Sequence, residues 1–578
     1  MSRGVPFTAN PLLAVKLPAY RSRVVMLLIA LGFVALAGRA IYLQLVSNEF
    51  LQKQGEVRYG RTVELPASRG RVLDRNGVVL ASSLPARAVW VAPEEFKPAK
   101  AELARLAALL QMPEREISRR VQGEGKTFVY LKRQVDASVA ARVEELDIAG
   151  VYQRKEYKRY YPEGERLAHV VGFTNVEDTG QEGVELAHER SLVGQPGSRR
   201  VIRDGRGRIV ENVGLIREPR DGRDLRLSID AKVQFHASAA LADAVREHRA
   251  RAGAALVIDV RTGEILALAN LPTYDPNQRG QLSGAQLRNR VITDTFEPGS
   301  TLKPFTTAIA LEARKVTPQT VIPTAGGRMT IGAHTISDVK AHDALTVEQV
   351  LQKSSNVGTA KMALALTPQQ MWELYTSVGF GQAPEIGFPG AVAGRLRPYR
   401  SWRTIEQATM SYGHGISVSL LQLARAYLVF ARDGDMAALT LLRQDQPAGG
   451  VRVMRPETAA AVRRMLEMAA GPGGTAPKAQ VAGYSVAGKT GTAHKLEGGR
   501  YVSKYVSSFV GFAPASDPRI VVAVMIDEPS AGKHYGGEVA APVFSRLAGD
   551  ALRTLRVVPD LELPAQAQAG DPAREAGR

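Results

Sequence analysis

Apolar residues run unbroken from Val24 to Gly38 (VVMLLIALGFVALAG), and after Arg39 the run resumes as AIYLQLV to Val46. The combined stretch is long enough for one membrane-spanning helix if Arg39 snorkels to the far interface, where Tyr42 can also anchor. The competing reading is a cleaved leader, because Ala35-Leu36-Ala37 fits a small-x-small cleavage site. The apolar pattern continues a turn or two past that point and favours an uncleaved anchor. Arg3, Lys16, Arg21 and Arg23 precede the span. They predict an N-terminus on the cytoplasmic side and export of everything after about residue 47.

Beyond the span the period of the pattern changes repeatedly. RTVELPASRGRVLDRNGVVLASS (Arg61 to Ser83) alternates apolar and polar positions around Asn76-Gly77, a hairpin signal. Residues 100–149 carry apolar positions at helical spacing, as in KAELARLAALL and ASVAARVEEL. KRYYPEGERLAHVVGFT reads as β-type, and GQEGVELAHERSLVGQPG as a glycine-punctuated loop with a helix. From DGRDLRLSIDAKVQ a strand leads into a helix. AALVIDVRTGEILALAN (Ala254 to Asn270) is a hairpin turning at Arg261-Thr262-Gly263. SSFVGFAPA and RIVVAVMID form another, turning at Ser516-Asp517-Pro518. Helical patterns such as LQLARAYLVFA and ETAAAVRRMLEMA lie between the two hairpins, which predicts an α+β domain on an antiparallel sheet. The expected divisions are 1–23 N-terminal segment, 24–46 span, 47–220 β-rich pedestal, 221–556 α+β domain, and 557–578 an unstructured Ala/Pro/Gly-rich tail.

Composition narrows the chemistry. The 578 residues include no cysteine, so disulfides, thiolate metal sites and a cysteine nucleophile are excluded. A net charge of +18 favours anionic surroundings such as lipid head groups or cell-wall polymers. No zinc-finger spacing, basic helix or aromatic-basic ribbon accompanies it, so nucleic acid is not an expected partner. His334, His342 and His534 lack metal-ligand spacing.

Residues 297–304 read EPGSTLKP. A helix starting here puts Ser300 in its first turn and Lys303 at i+3 on the same face, a nucleophile beside a base. Alone, the pair is equally a helix cap with a solvated lysine. Two further motifs follow in order: Ser354-Ser355-Asn356 in QKSSNVGTA, and Lys489-Thr490-Gly491-Thr492 in VAGKTGTAH. The ordinary readings are a cap for the first and a turn between strands for the second. SxxK, SxN and KTGT in this order within one α+β domain are instead the set used for acyl transfer through serine. Ser300 attacks an acyl carbon once a base takes its proton. Lys303 can be that base if burial and a second cation, Lys489, favour its neutral amine. Ser354 would relay the proton, and Asn356 would hold Lys303 and a substrate amide. KTGT suits an edge strand on which Gly491 admits the substrate backbone. Lys489, Thr490 and Thr492 would bind a carboxylate. The backbone N–H groups of Ser300 and Thr492 would form an oxyanion hole, each donor worth about 2.7–4 kcal/mol in the transition state. His414 in SYGHG is expected to pack or hydrogen-bond rather than act as a base.

With these motifs the chain resembles the class B penicillin-binding proteins, monofunctional peptidoglycan D,D-transpeptidases. The resemblance runs from the anchor to about residue 550. It includes SRGRVLDRNG (Ser68 to Gly77), GQEGVELAHE (Gly180 to Glu189), FEPGSTLKPFT, ISDVKAHDALTVEQVLQKSSNVG, SYGHGISVSLLQLARAY and HYGGEVAAPVF. It is greatest to the division-specific septal members, with the elongation-specific members next. The resemblance implies a single-pass inner-membrane protein with a periplasmic catalytic domain. It implies D-alanyl-D-alanine stem peptides as donors, β-lactams as covalent inhibitors, and no metal or organic cofactor. It also implies a non-catalytic pedestal that contacts division proteins and a membrane helix that pairs with a lipid II polymerase. Arg69, Gly70, Asp74, Arg75 and Gly77 match the family's N-terminal box, where a structural role is expected. Two rivals remain on the residues: a β-lactamase or D,D-carboxypeptidase, in which water resolves the ester, and a scaffold without turnover. No deacylating base announces itself for the first, and the intact motifs oppose the second.

Overall fold

A helix at Ala19–Ile41 carries the long apolar run, and its residues are exposed along their whole length. It is the one described helix long and apolar enough to cross a membrane, with a mean hydropathy of 2.4 over its apolar window. The Arg39 guanidinium lies 5.4 Å from the Tyr42 ring centroid, a pairing of cation and aromatic suited to an interface. A computed structural model of the chain describes residues 18–46, 60–123, 126–203, 209–280 and 282–562. Arg3, Lys16 and the tail from residue 563 onward lie outside the described residues.

The chain divides into two compact units. The first holds the apolar helix and a three-stranded antiparallel sheet of Gly60–Leu65, Gly197–Arg203 and Ile209–Arg217. The second holds Ser68–Gly194 together with the chain from Asp221 onward.

Within the second unit, Val79–Val91 pairs antiparallel with both Val129–Asp136 and Val151–Tyr160, and the helix Lys100–Leu110 packs nearby. The strand Val129–Asp136 falls in the segment whose apolar spacing predicts helices throughout. Its burial recurs too sparsely to declare a period of two, and pairing with Val79–Val91 decides its conformation. The opposite departure occurs at Ala168–Val171, a one-turn helix in a stretch that reads as β-type. All four of its residues are buried, so no polar face marks it.

The SRGRVLDRNG box is the keystone of this region. Arg69 is fully buried; its Nε donates to Glu185 at 2.6 Å and its Nη2 to Glu189 at 2.7 Å. Arg159 closes the cluster by donating to the other Glu185 oxygen at 2.7 Å. A Cβ on Gly70 would lie 2.1 Å from the Arg223 carbonyl oxygen, so only glycine fits there. Asp74 accepts from the backbone N–H groups of Asn76 and Val78, shaping the Asn76-Gly77 turn. Arg75 Nη2 reaches Glu264 at 3.1 Å, and Asn76 Nδ2 reaches Asp230 at 2.9 Å. The box therefore has the structural role expected of it, and it ties the pedestal to the domain that follows.

That domain is built on five antiparallel strands. In chain order its main elements are α1 (Ala231–Glu247), β1 (Ala252–Asp259), β2 (Ile265–Leu271), α2 (Lys303–Glu312), α3 (Val347–Lys353), α4 (Asn356–Leu364), α5 (Leu420–Ala431), α6 (Pro456–Ala470), β3 (Ala487–Glu497), β4 (Arg500–Ala513), β5 (Ile520–Asp527) and α7 (Ala541–Thr554). The sheet order is β2-β1-β5-β4-β3, so both hairpins expected from the sequence form, and β3 lies at an edge. Alternate residues of β1 face two cores. Leu256 and Ile258 join α2, α5 and α6, whereas Ala255 and Val257 join α1 and α7. Both sheet faces are covered, which explains the continuous apolar run of β1. Helix α5 is buried at every position except Arg425, as its all-round apolar sequence requires.

Candidate active site

The three motifs, spread over more than 180 residues of sequence, meet where α2, the α3–α4 junction and β3 converge. Gly299–Leu302 forms a 3₁₀ turn that runs directly into α2, so Ser300 and Lys303 sit on adjoining turns at the domain's centre. Ser300 is half-buried and Lys303 fully buried. Tyr427 of α5 fixes this turn from below by donating to the Thr301 carbonyl at 2.8 Å.

Ser354 closes α3 in the left-handed region, at φ 61°. That conformation points both its carbonyl and its hydroxyl at Lys303. The amine donates to the Ser354 carbonyl and lies 3.1 Å from the hydroxyl. Lys489, fully buried on β3, reaches the same hydroxyl at 3.0 Å. One hydroxyl thus bridges two amines. Asn356 does not hold Lys303 as expected: its Nδ2 donates to the Ser337 carbonyl at 2.8 Å, because the turn at Ser354 takes over the lysine. The Asn356 side chain borders the cleft.

Burial holds the Lys303 amine well below its ordinary pKa, and the neighbouring Lys489 charge pushes it further; Asp338 opposes both. Burial alone lowers Lys489 to about 7. Two like charges a single hydroxyl apart favour a neutral Lys303 beside a charged Lys489.

On β3, Thr490 Oγ1 lies 3.3 Å from the Lys489 amine, and both contact Thr475 Oγ1. Gly491 is pressed against the nucleophile's segment. A Cβ there would lie 2.4 Å from Ser508 Oγ and 2.8 Å from the Pro298 carbonyl. Thr492 accepts from the Gly536 N–H at 3.0 Å, and its backbone runs alongside Gly299. The residues of the three motifs therefore converge where α2, the α3–α4 junction and the start of β3 meet.

Three residues around the site carry no signal in the motifs. Asp338 accepts from Ser355 Oγ at 2.6 Å, from the Asn356 N–H, and from the Val357 N–H at 3.0 Å, a carboxylate on the N-terminus of α4. Thr475 is the second. Glu297 is the third, accepting from the Gly415 N–H at 2.8 Å and from the Tyr501 hydroxyl at 3.1 Å. Glu297 also pairs with His414 Nδ1 at 3.4 Å, and His414 packs edge-on to Tyr412 and Tyr501. These contacts fit the packing role expected of His414, whose pKa burial lowers.

A sheet flanked by helices, with a serine and two buried amines at its edge strand, defines a penicillin-binding transpeptidase fold. The profile of the penicillin binding protein transpeptidase domain matches residues 253–549, and that of the penicillin-binding protein dimerisation domain matches residues 64–227. The chain belongs to the penicillin-binding protein transpeptidase family. It is 44% identical over 548 residues to the probable peptidoglycan D,D-transpeptidase PenA of Neisseria meningitidis, covering 94% of each chain. It is 41% identical over 541 residues to the peptidoglycan D,D-transpeptidase FtsI of Escherichia coli, covering 92% of this chain and 91% of that one. The transpeptidase domain of penicillin-binding protein 3 from Burkholderia pseudomallei, solved in its apo form, is 51% identical. That match covers 58% of this chain and 98% of the other, with a TM-score of 0.54.

Proposed function

We propose that the protein is a membrane-anchored peptidoglycan D,D-transpeptidase that cross-links septal cell wall through an acyl-enzyme on Ser300. The observation that carries this reading is the buried amine of Lys303, three residues after the serine and sharing the Ser354 hydroxyl with Lys489. Neutral Lys303 accepts the Ser300 proton as Oγ bonds to the penultimate D-alanine carbonyl carbon. The backbone N–H groups of Ser300 and Thr492 take the oxyanion. The proton passes through Ser354 to the departing nitrogen, and terminal D-alanine leaves. An amine on a neighbouring stem peptide then attacks the ester, forms the cross-link and returns the proton to the site. Lys489, Thr490 and Thr492 hold the donor's terminal carboxylate. β-Lactams enter the same cycle and stop at the ester.

The segments shared with division-specific members of the family support the septal role. The N-terminus is cytoplasmic and the catalytic domain periplasmic, in keeping with the basic residues before the span. The span pairs with a lipid II polymerase, and the pedestal meets other division proteins. Depletion in cells separates septal from elongation roles: filaments are expected, and round cells would reassign the enzyme.

Fluorescent penicillin tests the chemistry. A long-lived adduct is expected on the peptide containing Ser300, absent in Ser300→Ala. Rapid release of hydrolysed drug would make the protein a hydrolase, and no adduct on folded protein would sink the assignment.

A further inference from the structure

Helix α5 buries every residue except Arg425, and the acyl-transfer site makes no use of that arginine. Arg425 stands two residues before Tyr427, whose hydroxyl holds the nucleophile's turn. Two residues along a helix rotate the side chain by about 200°, so Arg425 points away from Ser300. A cavity of ≈ 390 Å³ opens on that side, lined by Arg425, by the loop 382–386, and by Ala438 and Leu439. Its size suits a small molecule.

Two opposite charges line this cavity, and neither is paired. The Arg425 guanidinium is half-buried against Gly379, where a Cβ would lie 2.9 Å from Nη1. The neighbouring carbonyls of Gly379, Gln382 and Ala393 already accept from Gln422, at 3.3, 2.8 and 2.8 Å. Among the described residues Arg425 has no hydrogen bond and no ion pair. Glu385, exposed on the loop, has none either and stands beyond ion-pair distance from Arg425. Its charge still reaches the guanidinium, opposing the fall in pKa that burial causes. A half-buried cation without a partner is costly, and a guanidinium offers five donor hydrogens in fixed directions. A simple anion would satisfy Arg425 but would meet repulsion from Glu385. A ligand carrying both signs is attracted by both residues.

We propose that this cavity binds a small zwitterion of the α-amino acid class, its carboxylate on Arg425 and its ammonium on Glu385. Terminal D-alanine, released in the reaction proposed above, is one such molecule. The two charges face the cavity whether or not that reaction occurs.

Saturation-transfer NMR on the detergent-solubilised full chain tests this with three probes. D-Alanine is compared with propionate, which lacks the ammonium, and with ethylammonium, which lacks the carboxylate. D-Alanine is expected to bind roughly tenfold more tightly than either, the effect of one charge-assisted hydrogen bond. Arg425→Gln should weaken D-alanine to the level of ethylammonium, and Glu385→Gln should weaken it to the level of propionate. An unchanged melting temperature reports that each variant is folded. Because Glu385 is exposed on a loop, its variant still decides the matter if Arg425→Gln does not fold. Equal binding of propionate and D-alanine to the unaltered protein would make this a plain anion site. D-Alanine binding that neither variant weakens would place the ligand elsewhere, and no binding would leave two charges that only water satisfies. Each of these three results overturns the proposal.

Discussion

Two amines facing one hydroxyl set the electrostatics of the site. A free lysine amine is almost wholly protonated at neutral pH and cannot take a proton from serine. In the proposed mechanism, burial of both lysines and their mutual repulsion free Lys303 as a base, while Lys489 keeps the charge that attracts a carboxylate. Acylation should therefore follow a bell-shaped pH profile. It falls on the acid side as Lys303 gains a proton, and on the basic side as Lys489 loses its own near about 7. Asp338 raises the Lys303 pKa. Asp338→Asn should accordingly move the acid limb to lower pH, a shift read from acylation rates across a buffer series. An acid limb that stays put or moves upward would show that Asp338 serves only as a cap for α4. The identities of Ser300, Lys303, Ser354 and Lys489 were legible because each motif is short and its members act locally. Asp338 and Thr475 were not, because each reaches the site from a separate loop and only the fold brings it there; Glu297 lies three residues before Ser300, but its partners Gly415, Tyr501 and His414 are distant in sequence.

Elements carry the site's geometry more than its chemistry. The edge position of β3 leaves one side of its backbone available to a peptide, and Gly491 lets it approach the Pro298–Ser300 segment. Both hairpins of the sheet announce themselves through apolar strands and clear turns. The strand Val129–Asp136 and the helix Ala168–Val171 do not, since tertiary pairing and complete burial erase their periods. Farther from the chemistry, the Arg69–Glu185–Arg159 cluster fastens three segments of the pedestal, and neither Arg69 nor Glu185 is exposed to water. Removing one partner of a buried pair leaves the other's charge uncompensated, at a cost of about 3–5 kcal/mol. Arg69→Met should lower stability by that order in chemical denaturation. The fraction still folded should be acylated at the normal rate. A loss below about 1 kcal/mol would mean that Arg159 alone neutralises Glu185.

At the scale of the whole second unit, pedestal and transpeptidase domain meet through a shared apolar core and several polar contacts, those of His169 among them. The His169 Nε2 lies 2.7 Å from the Gln286 carbonyl, Asn289 donates to the His169 carbonyl at 3.2 Å, and Tyr274 donates to the adjacent Ala168 carbonyl at 3.0 Å. Burial lowers the His169 pKa to about 4, and the Arg290 charge adds to the effect. An unfolded chain protonates this histidine near its ordinary value of 6.5, so it binds the proton first as pH falls. The stability contributed by neutral His169 is present above 6.5 and is lost on acidification toward about 4, by about 3 kcal/mol. Asp178 in the pedestal works in the opposite sense. Burial raises its pKa to about 6, so its contribution is present in acid and is lost as pH rises through that value. The two partly cancel, and a melting curve of the unaltered protein alone would hide both. Comparison with His169→Gln isolates the histidine, because the aspartate is common to the two chains. The variant should gain on the unaltered protein as pH falls from 7 to about 4, measured as the difference in unfolding free energy at each pH. A difference that stays constant would show that the joint between the domains opens without desolvating His169, and that its burial carries no acid sensitivity.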